Sequence, residues 1–269
     1  MSNSGAGSIA FEKIARRTIV RKALAHAPLR LLTPRNQGQA AWVYTSTYGG
    51  GLVDGDHLQL TVEVGQHAEG VLLTQSATKV YRSPQGTRQS LDAEVADGAS
   101  LLLLPDPTSC FAGSRFAQRQ SVNLGLAASL LLVDTLNAGR VSRGERWQLS
   151  SFKNQLFVQR QGKKILWDSL LLDARGGELS ERFGRFNSFS TLLFIGPRFE
   201  KYGHEVRAQL AQEIPHPKAT TMVSASALPD EGVLVRLAAM SNEAAMGLIR
   251  QFFYFVPEIL GDSPWARKW

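Results

Sequence analysis

Leu58-Gln59-Leu60-Thr61-Val62-Glu63-Val64 places an apolar side chain at every second position and a polar one between each pair. Successive side chains of an extended chain point to opposite sides, so this repeat marks a strand with one buried and one wet face. Gly65-Gln66 ends it. Segments of the same kind recur at 70–74, 88–95, 100–104, 116–124, 130–134, 146–149, 155–160 and 165–171. The turn signals between them include Ser83-Pro84-Gln85-Gly86, Ala96-Asp97-Gly98, Gln161-Gly162 and Arg175-Gly176-Gly177. These connections are too short for crossover helices, which predicts a mainly β fold built on a large antiparallel body.

Beyond Gly196-Pro197 the period changes, with Val206, Leu210 and Ile214 on one side of a short amphipathic helix over 204–213 that Pro215 stops. Strands are expected at 220–225 and 232–238. A second helix is expected over 242–256, with Ser241 as N-cap, Ala244, Leu248, Phe252 and Phe255 on one face, and Pro257 as its limit. The organisation read from this is a flexible N-terminus (1–10), a β-rich scaffold body (11–196) and a C-terminal α+β unit with two helices (197–269) packed on the body.

The 269 residues carry 30 Lys+Arg against 23 Asp+Glu, a net charge of +7. Apolar residues make up 43% and charged residues 20%, a balance that supports a packed interior and argues against wholesale disorder. A single cysteine, Cys110, excludes an intramolecular disulfide and a multi-thiolate zinc site. The longest apolar runs, 101–104, 130–133 and 252–256, fall far short of the roughly 20 residues a membrane helix needs. The first residues lack the apolar centre of a signal peptide, so a cytoplasmic protein is expected.

Three segments invite a chemical reading. Gly49-Gly50-Gly51-Leu52-Val53-Asp54-Gly55-Asp56 is glycine-rich, but a phosphate cradle needs a following helix and usually a lysine. Here two aspartates and an alternating strand follow, so a tight positive-φ turn feeding an edge strand is favoured, with Asp54 and Asp56 as candidate cation ligands. Thr74-Gln75-Ser76-Ala77-Thr78-Lys79-Val80-Tyr81-Arg82-Ser83 is rich in hydroxyls and amides, and reads equally as a solvated loop or a polar path. Leu104-Pro105-Asp106-Pro107 fixes an extended turn, after which Cys110 beside Phe111 reads as a buried small residue. The five histidines form no zinc pattern, and no nucleophile elbow is present.

Taken in order, Gly50 to Asp56, Thr74 to Ser83 and Leu104-Pro105-Asp106-Pro107 with Phe111 resemble the urease accessory protein UreD (UreH) family. The likeness continues through Asp134-Thr135, Gly139-Arg140, Gly144-Glu145-Arg146-Trp147 and Asn154, to Pro264-Trp265-Ala266-Arg267-Lys268-Trp269. The resemblance implies a non-enzymatic scaffold and metallochaperone for urease maturation. It implies binding to apo-urease and to UreF, which recruits the GTPase UreG, with nickel passing transiently through the scaffold and no nucleotide bound by this chain. It also implies a polar nickel route at Asp56, Thr78, Asp134 and Asp168, with Lys79 and Glu145 as further members. His57 stands where relatives also have an acidic residue, and Asp168 where a glutamate occurs, so Asp56 and His57 are the expected metal ligands. Carboxylate and imidazole suit exchange of Ni²⁺, whereas several thiolates would trap it.

Two other classes compete. Arg16, Arg17, Arg21 and Lys22 with Arg267 and Lys268 would make a basic β-rich nucleic-acid-binding protein, but no aromatic residues are interleaved among them as a stacking platform requires. A metal-dependent hydrolase on Asp54, Asp56 and His57 lacks further ligands elsewhere in the chain.

Overall fold

The computed structural model describes residues 4–35, 38–214, 216 and 218–266. The fold is mainly β with a small helical part. A seven-stranded sheet has the spatial order β14 (Lys163–Asp173), β13 (Ser151–Arg160), β11 (Arg115–Leu124), β8 (Thr87–Val95), β5 (His57–Val64), β1 (Ser4–Ile14), β2 (Arg17–Ala25). The second sheet runs β16 (Thr221–Ala227), β17 (Val233–Ala239), β15 (Ser188–Ile195), β12 (Ser129–Asn137), β9 (Ser100–Leu103), β6 (Glu69–Thr74), β4 (Ala41–Thr47), β3 (Leu29–Leu32). The short strands β7 (Thr78–Val80) and β10 (Thr108–Cys110) pair beside β12.

The expected antiparallel body is corrected by the pairing. β1, β5, β8, β11 and β13 are successive parallel neighbours, and so are β4, β6, β9 and β12. Antiparallel pairs are confined to the ends of the two sheets, such as β1 with β2, β13 with β14, and β12 with β15. A parallel pair needs a long crossover. From β4 to β13 the chain supplies it by alternating between sheets, so the strand in the facing sheet is the crossover and no helix is required.

In-register stacking of this coil aligns inward residues into rungs. Ile9, Val62, Ala93, Val122 and Val158 form one rung across the first sheet, all buried. The alternation of β5 holds as read: Leu58, Leu60, Val62 and Val64 are buried, while Gln59, Thr61 and Glu63 are exposed. β5 lies between β8 and β1, however, and is therefore an interior strand rather than an edge.

The second sheet is covered on both sides, inward by the first sheet and outward by helices. This explains the unbroken runs at 101–104 and 130–133, since strands buried on both faces lose polar alternation. The outer cover consists of α2 (Glu200–Gln212), α3 (Asn242–Phe252) and α4 (Val256–Leu260), after α1 (Leu179–Phe183) earlier in the chain. Ser241 caps α3 as expected, its Oγ accepting from the Ala244 amide at 3.1 Å. The helix read over 242–256 ends at Phe252, and the separate α4 begins at Val256 with Pro257 in its first turn, where its missing N–H costs no intrahelical bond. Phe252, Phe253 and Phe255 are buried in this layer, and only Tyr254 of that cluster is exposed.

Three further expectations change. Residues 4–10, expected as a flexible terminus, form the start of β1: Gly7 lies so close to its neighbours that an added Cβ would sit 2.6 Å from Leu29 Cδ2. Small residues here serve close packing. Residues 146–149 are irregular, with Trp147 at φ 55, where its indole N–H donates to the Phe186 carbonyl at 2.8 Å. The strands expected in the C-terminal α+β unit continue the second sheet beyond β15. Pro215, the expected helix stop, and Arg267, Lys268 and Trp269 lie outside the described residues.

The packing yields a graded stability test. Leu132→Ala, on the inward face of β12, is expected to lower the unfolding free energy by about 2–5 kcal/mol. Thr61→Ala, on the wet face of β5, is expected to cost about 1 kcal/mol or less. Urea denaturation followed by circular dichroism measures both, and equal effects would contradict the assigned faces.

Candidate functional site in the inter-sheet layer

Polar residues interrupt the apolar inward faces along one seam. Within the alternation of β11, Phe116, Val122 and Leu124 point inward, and Gln118 and Gln120 share their parity and burial. The parallel register sets Gln118 beside Gln89 on one side and Asn154 on the other, and sets Gln120 in the rung of Leu91, Leu156 and Asp168. On the facing sheet Asp134, Thr191 and Arg236 form a single rung across β12, β15 and β17.

Asp134 is the centre of this seam. Its Oδ2 accepts from Asn154 Nδ2 at 2.6 Å, Gln118 Nε2 at 2.9 Å and Gln120 Nε2 at 3.2 Å, all reaching across from the first sheet. Burial disfavours the ionised carboxylate and pushes its pKa up, and the charge of Asp168 adds to this. The three amide donors oppose the rise without cancelling it. Asp134 is half-buried and borders two of the spaces between the sheets. Asp168 is held differently, its Oδ1 lying 2.7 Å from Arg236 Nη2 in an ion pair between the sheets.

Three cavities run along the layer. The first, about 70 Å³, is lined by Gly50, Gly51, Thr45, Thr47, Ser76 and Thr78, among others. The second, about 60 Å³, shares Thr45, Thr74, Thr78 and Gln89 with the first and reaches Gln118, Gln120 and Asp134. The third, about 10 Å³, shares Asp134 with the second and continues to Asn154, Asp168, Thr191 and Arg236. A water molecule needs about 10–15 Å³ of such space, so the first two cavities have room for several waters and the third is a constriction.

The structure thus brings together Thr78, Asp134 and Asp168 of the residues singled out by sequence. Asp56, His57, Lys79 and Glu145 do not line these three spaces. Asp56 is buried and closes the turn before β5, its Oδ2 accepting from the Val53 amide at 2.8 Å, while its Oδ1 has no hydrogen-bond partner among the described residues. Gly49, Gly50 and Gly55 have positive φ, as the turn reading required. Asp54 is engaged with the amides of Gln85 at 2.8 Å and Gly86 at 3.1 Å. His57 begins β5, half-buried, and the Lys79 side chain is exposed while its carbonyl accepts from the Leu52 amide at 2.8 Å.

Glu145 is paired with Arg140 through both carboxylate oxygens, and Arg140 lies 4.4 Å from the centre of the Phe111 ring. The hydrogen bonds from Arg140 hold the Glu145 carboxyl below its usual range, making it an anchor of the 139–145 loop. Among the described residues no group of three His, Cys, Asp or Glu side chains is placed to hold a metal ion. Cys110 is fully buried, and burial pushes its thiol up to about 12, so it stays protonated and offers no ligand. Of the basic groups considered for nucleic acid, Arg16, Arg17, Arg21 and Lys22 belong to the exposed β1–β2 hairpin, where Arg21 pairs with Glu12 at 3.2 Å.

Sequence reasoning passed over Gln89, Gln118, Gln120, Thr191 and Arg236. The signal for Gln118 and Gln120 was present: two amides on the apolar parity of an alternating strand. Thr191 and Arg236 carry no local signal, because only pairing across three strands places them beside Asp134.

The two sheets enclose a polar seam of amides, carboxylates and one arginine between otherwise apolar faces. Residues 3–269 match the profile of the UreD urease accessory protein family, and the chain belongs to that family. It is 46% identical to the urease accessory protein UreD of Sorangium cellulosum, over 99% of this chain and 85% of that protein. It is 36% identical to UreD of Anaeromyxobacter sp. over 98% of this chain and 89% of that protein, and 26% identical to urease accessory protein D of Arabidopsis thaliana over 97% and 99%. No helix among the described residues is long and apolar enough to cross a membrane.

The raised pKa of Asp134 sets the sign of a pH effect. A carboxyl with a higher pKa in the folded state binds more protons there, so its contribution to stability is full below the unfolded value, about 4, and is lost as pH rises through the folded value. Asp134→Asn removes that loss. The stability of the unmodified protein relative to Asp134→Asn is therefore expected to fall as pH is raised from about 4 to neutrality. Urea denaturation at a series of pH values measures it, and a relative stability that grew with pH would contradict the assignment.

Proposed function

We propose that this protein is a non-catalytic scaffold in urease maturation that passes Ni²⁺ along its inter-sheet layer toward apo-urease. In this reading UreF and the GTPase UreG are its partners, and UreG supplies the metal and the nucleotide hydrolysis. The observation that carries the proposal is the succession of three cavities that share lining residues and run from Thr78 through Asp134 to Asp168.

The donor set fits cargo rather than a resident ion. Carboxylate, hydroxyl and amide oxygens hold a divalent first-row cation weakly, and water completes its shell. No thiolate lies along the way to arrest it, and the single thiol is buried and protonated. Among the described residues Asp134 has no hydrogen-bonded cationic partner; its bonds come from amides, which orient the carboxyl without adding a positive charge that would compete with a cation. The outer aspartates are assigned to the architecture of the entrance turn: Asp54 ties it to the 85–86 turn and Asp56 closes it.

Reconstitution with apo-urease, UreF, UreG, GTP and Ni²⁺ tests the route. Asp134→Ala is expected to lower nickel per urease several-fold, read by metal analysis, while the variant still co-purifies with its partners. Full nickel loading by a correctly folded Asp134→Ala protein would overturn the route.

A further inference from the structure

The narrowest cavity is the only one of the three inter-sheet spaces with a cationic side chain and two carboxylates on its wall: Arg236, Asp168 and Asp134. The second cavity includes Arg119, but that side chain points outward and pairs with Asp92 at 3.3 Å, with both groups largely exposed. Arg236 occupies an inward position between Leu234 and Ala238 on β17, in the rung of Asp134 and Thr191. From there it crosses to Asp168 on β14 in the opposite sheet.

Two properties of this pair are opposed. Asp168 is well covered, with 17% of its side chain exposed, whereas 35% of Arg236 is exposed. Of the two, the arginine is the more open to water. Its long, flexible side chain can leave Asp168 by rotation without moving either sheet. While the pair is made, the guanidinium occupies Oδ1 of Asp168 and puts a fixed positive charge at the constriction. An arriving divalent cation would meet that charge in a space of about 10 Å³ between the sheets, where charges interact more strongly than in bulk water.

Resting on the reading of this layer as a cation route, we propose that Arg236 is its gate: paired with Asp168 it closes the constriction, and turned to solvent it releases the carboxylate to the cation. The exchange replaces one positive partner of Asp168 by another. Arg236 touches no cargo in the closed state and acts through Asp168, as a positioning residue. Asp134, held by neutral amides, and Asp168, held by a displaceable cation, thus become successive holding points of different availability.

Equilibrium dialysis of the full-length chain against NiCl₂ tests the gate with a readout independent of urease activity. Arg236→Met is expected to bind Ni²⁺ about tenfold more tightly than the unmodified chain, because the freed Asp168 faces the same space as Asp134 without a competing charge. Arg236→Lys keeps the charge and is expected to stay near the unmodified value. Arg236→Met with Asp168→Asn is expected to return to it. If Arg236→Met loses the fold by circular dichroism, Arg236→Gln carries the same measurement. A folded charge-removing variant that binds no tighter, or tight binding that survives Asp168→Asn, overturns the gate. Reduced urease loading by Asp134→Ala alongside unchanged affinity in Arg236→Met removes the gate and keeps the route. Full loading by Asp134→Ala removes the route and, with it, the gate.

Discussion

From β4 to β13 the chain alternates between the two sheets, and this alternation is the constraint on which the rest of the molecule depends. It makes the central strands parallel without helices between them, and it ties the two inward faces together turn by turn. A side chain placed inward on one strand must therefore be accommodated by the opposite sheet. For apolar residues this is close packing, as in the rung from Ile9 to Val158. For polar residues it is an obligation to find a partner, because an unpaired buried polar group carries its full desolvation penalty.

The molecule resolves that obligation in different ways at its acidic residues. Glu145 and Asp168 are paired with arginines. Asp56 is folded into a turn. Asp134 is bound by the amides of two glutamines and an asparagine, which keep its position while contributing no charge. Such a network is worth more within a low-dielectric layer than at the surface, and it rigidifies the carboxylate it holds. Side chains that resemble one another in composition are thereby divided into charge-paired anchors, a turn closure and one carboxyl held by neutral amides.

Much of this was legible in the chain. The alternation of residues 58–64 identifies β5 with its faces and the serine before residue 242 identifies a helix start, whereas Thr78, Asp134 and Asp168 stand out only through the resemblance to the family. Strand direction was not legible, because a turn between two strands reads the same whether the second joins its predecessor or crosses to a facing sheet. The small residues near the N-terminus misled for a related reason: glycine marks close approach as readily as freedom, and only the proximity of Leu29 separates the two.

The order of apolar and polar residues determined that this protein is built of strands, because side-chain period is a property of the local backbone. It also determined, through the ordered motifs, the family to which the chain belongs. Which carboxylates share a cavity was decided by the tertiary structure alone. Asp134, Asp168 and Arg236 lie on three strands of two sheets, 34 and 68 residues apart in the chain, and only register within each sheet and packing between the sheets sets them around one narrow space.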